Sequence, residues 1–245
     1  MKVTNDISYS AYPEDLLDVY APDASSDKAF LYFHGGGLEA GDKCQTELMA
    51  SCLNSKGVTF ITANYRMYPS AKCPDFIRDA AAAVAWSIKY AKENLVGKQE
   101  LYVGGSSAGG YLSMMLCFDP EYLAEVGCSN DDIAGYFHDA GQPTTHFHVL
   151  RERGVDTRRV IIDKDAPLYY VGMADSYPKM RFIVSDNDMK GRYEQTMLIL
   201  SALSHFGYTG YDHVVMENST HCSYCGKRDS DGESVFAKMI YDFIK

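Results

Sequence analysis

No run of apolar residues in this chain is long enough to cross a bilayer; the longest are of strand length. The opening stretch MKVTNDISYSAYPEDLLDVY also lacks the apolar segment of an export signal, so the expected location is the cytoplasm. Lys and Arg form no runs, and 23 of them against 33 Asp and Glu leave a formal charge of −10. A phosphate backbone would meet net repulsion, which excludes nucleic acid as a partner. The 7 cysteines are odd in number and scattered, the pattern of reduced thiols rather than of a disulfide framework. There is no internal repeat, low-complexity tract or Pro/Gly/Ser-rich linker to divide the 245 residues. The expectation is one domain spanning 1–245, with 46% apolar residues to build its core.

What the chain does have is alternation. Short runs rich in β-branched and aromatic residues (Ala29–Phe33, Thr59–Ala63, Leu101–Val103, Arg181–Val184 and His213–Met216) read as strands. Between them Glu47–Ser55, Asp75–Lys92, Ala108–Leu116 and Tyr193–His205 carry apolar residues at helical spacing. A last helix, Ser234–Ile244, follows Asp229-Ser230-Asp231 as candidate caps. Repeated strand–helix units predict an α/β fold, a mostly parallel central sheet with helices on both faces. Ser8–Tyr12 and Leu16–Tyr20 read as an antiparallel leading hairpin around Pro13-Glu14-Asp15. From about 118 to 177 the rhythm breaks into an irregular stretch with one strand at Gly135–His138, expected to be a small cap-like insertion.

The chemistry sits in Gly105-Ser106-Ser107-Ala108-Gly109, a G-x-S-x-G preceded by a strand and followed by a helix. A nucleophile at the tip of so sharp a turn needs small residues two positions either side, and Gly105 and Gly109 supply them. Gly110 then lets the helix approach the sheet. Ser106 is the rival nucleophile, but Ala108 stands where its downstream glycine would be, so Ser107 is preferred. A dinucleotide-binding loop would need G-x-G-x-x-G, and Gly104-Gly105-Ser106-Ser107-Ala108-Gly109 lacks the middle glycine. Earlier in the chain His34-Gly35-Gly36-Gly37 follows a strand, and three glycines can aim unobstructed N–H groups at one oxygen, as an oxyanion requires. His34 reads as a strut for that loop rather than a base.

With His34-Gly35-Gly36-Gly37, Asn64-Tyr65-Arg66, Pro74, Asp79, Trp86 and Gly105–Gly110, the chain resembles the hormone-sensitive-lipase-like and related small carboxylesterases of the α/β-hydrolase fold. The resemblance runs from about Leu16 to the C-terminus, with the irregular middle matching least. It implies an oxyanion hole formed by the N–H groups of Gly36, Gly37 and Ala108. Two departures stand out: Ser106 where relatives often carry an acidic residue, and Leu38 where many carry an aromatic one.

In this fold the catalytic acid and histidine follow the serine in that order. Of seven histidines, His34, His138, His146 and His148 come too early. His205 ends a helix and His213 starts a strand, whereas His221 lies in a polar loop after the last strand, where loops build the site. The resemblance places the acid four positions into Ser185-Asp186-Asn187-Asp188, selecting Asp188, with Asp186 on the same loop as the fallback. Ser107, Asp188 and His221 then form a triad that needs no cofactor and no metal. Cys222-x-x-Cys225 beside His221 lacks a second pair of ligands and is not expected to bind zinc. His146 and His148, alternating on one face of an extended segment, are expected to be solvated cap residues or substrate contacts.

The resulting expectation is a carboxylesterase cleaving short to medium acyl esters of small molecules, carbohydrate-linked acetyl or aromatic esters among them. The alternatives are an amidase of the arylformamidase kind or a peptidase on the same residues, and a non-catalytic hydrolase-fold binding protein. The last usually lacks a triad member, and here all three are present. Oligomeric state and natural substrate are not legible.

Overall fold

The computed structural model describes residues 1–44 and 46–245. Eight strands, β1 (Lys2–Ser8), β2 (Leu16–Ala21), β3 (Lys28–Phe33), β4 (Val58–Ala63), β5 (Glu100–Ser106), β6 (Gly135–Asp139), β7 (Lys179–Asn187) and β8 (Tyr211–Thr220), form one sheet. Their order is β1-β2-β4-β3-β5-β6-β7-β8. β1 and β2 pair antiparallel, β2 joins β4 antiparallel, and the six strands from β4 to β8 run parallel. The helices are α1 (Glu47–Ser55), α2 (Asp75–Asn94), α3 (Ala108–Phe118), α4 (Pro120–Glu125), α5 (Phe147–Glu152), α6 (Pro167–Tyr170), α7 (Arg192–His205) and α8 (Val235–Ile244). None among the described residues is long and apolar enough to cross a membrane.

The run of apolar residues in β3 is explained by burial on both faces. Ala29, Leu31 and Phe33 point into the core shared with α2, α3 and α7, while Phe30 and Tyr32 pack on the other face against α1 and α8. Phe137 of β6 joins that second core, edge-on to Phe30 and Phe236.

Three expectations need correction. The leading strand is Lys2–Ser8, not Ser8–Tyr12. β1 is an exposed edge whose polar residues carry no burial pattern, and Ser10–Asp15 is the turn, closed by Asp15 N–H on Tyr12 O at 3.1 Å and Ser10 Oγ on Asp15 Oδ2 at 2.5 Å. α8 is capped by Ser234, whose Oγ accepts from Ala237 N–H at 3.1 Å; Asp229 instead pairs with Lys238. Within 118–177, β6 lies inside the sheet between β5 and β7, so the departure from strand–helix alternation is the connection from Ala140 to Pro178 carrying α5 and α6.

β6 also contributes a buried histidine with consequences for acid stability. His138 faces Tyr136 and Phe182, with Nδ1 2.9 Å from Ser113 Oγ and Nε2 without a partner. Burial pushes its pKa from 6.5 down to about 3. The unfolded chain takes up this proton first, so stability is full above pH 6.5 and is lost as pH falls from 6.5 toward 3. The loss from this residue between pH 6.5 and 4.5 is about 2 kcal/mol. His138→Gln is expected to flatten that decline, measured by denaturant unfolding at both pH values; an equal decline in the variant would remove His138 as its source.

Candidate active site

β5 ends at Ser106 and α3 begins at Ala108, leaving Ser107 alone at the turn with φ 56° and ψ −111°. A non-glycine residue rarely adopts that conformation, and it is held there by its surroundings. Ser107 N–H donates to Asp139 O at 2.8 Å, and Ser107 O accepts from Tyr111 N–H at 3.0 Å. The flanking glycines are required by contact: a Cβ on Gly109 would lie 2.0 Å from Phe33 O, and one on Gly105 2.5 Å from the carbonyl carbon of Gly109.

The other two side chains come from the ends of β7 and β8. Asp188 Oδ1 accepts from Met189 N–H at 2.7 Å and Oδ2 from Ser185 N–H at 3.2 Å, so the carboxylate has a fixed direction. His221 Nδ1 is 2.6 Å from Asp188 Oδ1, and Nε2 is 2.8 Å from Ser107 Oγ. The carboxylate can only accept, which puts the proton on Nδ1 and leaves Nε2 to accept from the serine hydroxyl. Burial pushes Asp188 upward, but the His221 contact and the two N–H donors outweigh it and hold the carboxyl below its usual range. The site therefore keeps an ionised acid behind the imidazole. Asp186 is separate: exposed, it takes the N–H groups of Asn218 at 2.8 Å and Ser219 at 3.1 Å and so anchors the end of β8.

Above the elbow lies the glycine loop. A Cβ on Gly35 would sit 3.2 Å from Ser107 Cβ, so the loop passes directly over Ser107. Gly36 has φ +121° and no room for a side chain, because a Cβ would meet Ala40 O at 1.8 Å. That carbonyl is there because Ala40 N–H and Glu39 N–H both turn back onto Gly36 O, at 3.0 and 3.2 Å. His34 is the expected strut: Nδ1 lies 2.7 Å from Gly35 O and the ring stacks on Tyr65 at 4.5 Å. Tyr65 OH donates to His34 O at 2.9 Å. The next residue, Arg66, fixes its own loop by a bidentate contact with buried Asp79, at 2.9 and 2.7 Å.

Solved structures share this architecture along nearly the whole chain. Esterase 2 of Thermogutta terrifontis, phosphoramylated by tabun, superposes with a TM-score of 0.78 at 18% identity, covering 99% of this chain and 93% of that one. Esterase B of Lactobacillus rhamnosis does so at 0.76 and 19% identity, covering 99% and 87%. The chain has the α/β-hydrolase fold. The family described as BD-FAE matches residues 17–132. The chain is also similar to an acetyl esterase of Salmonella typhi, 28% identical over 104 residues, which are 42% of this chain and 32% of that protein. With the carboxylic ester hydrolase LipN of Mycobacterium tuberculosis it shares 32% identity over 91 residues, 36% of this chain and 24% of that one. The matched stretch spans a third or less of those curated relatives.

Behind the elbow is a buried carboxylate that motif reading missed. Asp139, at the end of β6, accepts from Ser106 Oγ at 2.5 Å, from Tyr224 OH, and from the thiols of Cys225 at 3.5 Å and Cys222 at 3.8 Å. Ser106 thus has a fixed structural partner, and its hydroxyl points to Asp139. The contacts tie the elbow to the loop that carries His221. Burial raises Asp139 to about 6 against the lowering effect of those donors. Asp139, Cys222 and Cys225 hold their ligand atoms within 4.8 Å of one another. Both thiols are pushed upward and Asp139 already has hydroxyl donors, so the set fits neutral thiols hydrogen-bonded to a carboxylate better than thiolates around a metal. The one sequence signal for Asp139 was its place at the C-terminal end of a parallel strand.

His146 and His148 are neither solvated nor extended. His146 is buried against Tyr111 and Phe147 and caps α5, its Nδ1 accepting from His148 N–H at 3.2 Å. His148 is buried beside Glu39 and Glu152, at 3.4 and 3.5 Å. An alternating pattern of two residues does not separate a strand from the first turn of a helix. His205 and His213 lie at the end of α7 and in β8, both exposed.

Proposed function

We propose that the chain is a serine carboxylesterase that hydrolyses short to medium acyl esters of small molecules. The observation that carries this reading is the continuous contact Asp188–His221–Ser107, at 2.6 and 2.8 Å, ending on the strained turn after β5. His221 takes the Ser107 proton as the hydroxyl attacks the ester carbonyl, and Asp188 stabilises the imidazolium. The N–H groups of Gly36, Gly37 and Ala108 receive the oxyanion; Ala108, as the first residue of α3, has no intrahelical acceptor for its N–H. His221 then protonates the leaving alcohol and activates the water that releases the acid.

The similarity to an acetyl esterase supports short acyl groups, and a truncated carbohydrate esterase from gut microbiota shares the fold at a TM-score of 0.76, which leaves sugar-linked acetyl esters in view. The connection from Ala140 to Pro178, the part of 118–177 outside the strand–helix alternation, would shape the acyl and alcohol pockets within one domain. The test is a panel of p-nitrophenyl esters from acetate to laurate, run with and without a chelator. Turnover is expected to peak between two and about six acyl carbons and to be insensitive to chelation. Loss of activity on chelation, restored by zinc, would transfer the chemistry to Asp139, Cys222 and Cys225; no turnover on any ester would reject the esterase reading.

A further inference from the structure

Beside the triad lies a cavity of about 510 Å³ whose lining is positive in an otherwise acidic protein. Arg158, Arg159, Lys190 and Arg192 all face it, and no Asp or Glu is among its lining residues. Its walls reach the site from two directions. Met189, on one side, directly follows Asp188 and gives its N–H to that carboxylate at 2.7 Å. Phe147, on the other, packs on the glycine loop, 3.3 Å from where a Gly37 Cβ would be. The volume is that of a small-molecule site.

The four cations differ in what balances them. Arg158 is paired with Asp156 at 2.6 Å. Arg159 and Lys190 are exposed, and among the described residues neither has a carboxylate within ion-pair distance. Arg192 is only 4% exposed, yet it too has no ion-pair partner among the described residues. Its guanidinium donates to Ala140 O and, at 3.3 Å, to Gln142 Oε1, both neutral acceptors. Asp188 is the charge that favours it most, but that carboxylate is engaged by His221. Burial pulls Arg192 down from 12.5 to about 10, the mark of a cation that has lost water without gaining a counter-charge.

Its position in the chain sharpens the point. Arg192 is the first residue of α7, a 14-residue helix capped by Gly191 at φ +80°, which offers no side-chain acceptor. A cation is unfavourable at a helix N-terminus, where unpaired N–H groups already carry positive partial charge. Glu194, the acid of that first turn, is exposed and does not line the cavity. A buried unpaired guanidinium, an uncapped helix start and two free cations therefore converge on one hollow. An anion there would relieve the desolvation of Arg192 and occupy the helix end.

We propose that this cavity receives an ionised carboxylate of the substrate, so that the ester attacked by Ser107 is one that also carries a negative charge. The proposal rests on the esterase reading for its chemistry and names the substrate class of that site. The long-range field of a −10 protein disfavours an anion, so the selection is made at contact.

Binding can be measured apart from turnover in Ser107→Ala protein by titration calorimetry. Two matched pairs place the charge on either side of the ester: 3-acetoxybenzoate against 3-acetoxybenzamide, and monoethyl adipate against its primary amide. The carboxylate of at least one pair is expected to bind about 10-fold or more tighter than its amide. That preference should fall at least about fivefold in an Arg159→Gln/Lys190→Gln variant, whose changes are on the surface, and fall again with added salt. Arg192→Gln, if it folds, should abolish the remainder. Equal affinity within both pairs, no binding by any of the four, or a preference untouched by the double substitution would each overturn the proposal. Wild-type protein tests the other half. Hydrolysis without charge preference leaves the esterase reading standing and removes the anion site; charge-selective binding without hydrolysis of any ester does the reverse.

Discussion

Ser107→Ala protein is expected to fold as the parent does and to lose ester turnover by about 10⁶-fold, the scale seen when a serine hydrolase loses its nucleophile. The fold should survive because the change removes one oxygen at the surface of the elbow. The backbone bonds that hold the turn, Ser107 N–H to Asp139 O and Tyr111 N–H to Ser107 O, are untouched. Ser106→Ala is the informative comparison. Its Oγ is a donor to buried Asp139, so this variant should lose about 1–3 kcal/mol of stability while keeping activity within about an order of magnitude. Single-turnover measurements on both proteins, with the folded fraction checked by circular dichroism, decide it. Near-parental activity in Ser107→Ala would end the serine mechanism, and loss confined to Ser106→Ala would move the nucleophile one residue.

The second large effect is expected at Asp188. Asp188→Asn keeps the size but presents an amide that can donate to Nδ1 and so stabilise the wrong imidazole tautomer, a change that costs a serine protease about 10⁴-fold in kcat. The amide oxygen can still accept from Ser185 N–H in the Oδ2 position while the NH2 takes the Oδ1 position toward Nδ1 and gives up only the Met189 N–H bond, so the loss should appear mainly in kcat rather than in folding. Asp186→Asn should differ sharply, with a loss of less than about 10-fold. Its carboxylate is exposed, lies away from His221 and accepts the N–H groups of Asn218 and Ser219 on separate oxygens, one of which an amide oxygen keeps. If Asp186→Asn proves inactive while Asp188→Asn works, the acid is misassigned although Ser107 and His221 keep their roles.

Much of the sheet was legible because its inner strands are buried on both faces and so appear as unbroken apolar runs, as in Phe30–Phe33 and Val58–Ala63. β1 was not, because an edge strand with exposed residues leaves no burial pattern. The same reason misread His146 and His148. Their burial comes from Tyr111, Phe147, Glu39 and Glu152, which are distant in sequence or on the same short helix, and no local pattern announces it.

The site divides along a similar line. Ser107, the glycines of both turns, His221 and the pair Asp186/Asp188 could be picked out from sequence, because tight turns and a polar loop after a strand restrict residue type locally. Which aspartate faces His221 was carried by resemblance until the loop's own N–H groups were seen to aim Asp188 inward and leave Asp186 on the β8 backbone. Asp139 and Arg192 belong wholly to the tertiary structure. Asp139 owes its role to donors 33, 85 and 86 positions away, and Arg192 to a cavity assembled from three separate segments. The sequence determined where the backbone must turn tightly and which side chains stand at those turns. Only folding decided which charges are buried, and with what partners, because desolvation and pairing are properties of neighbours in space.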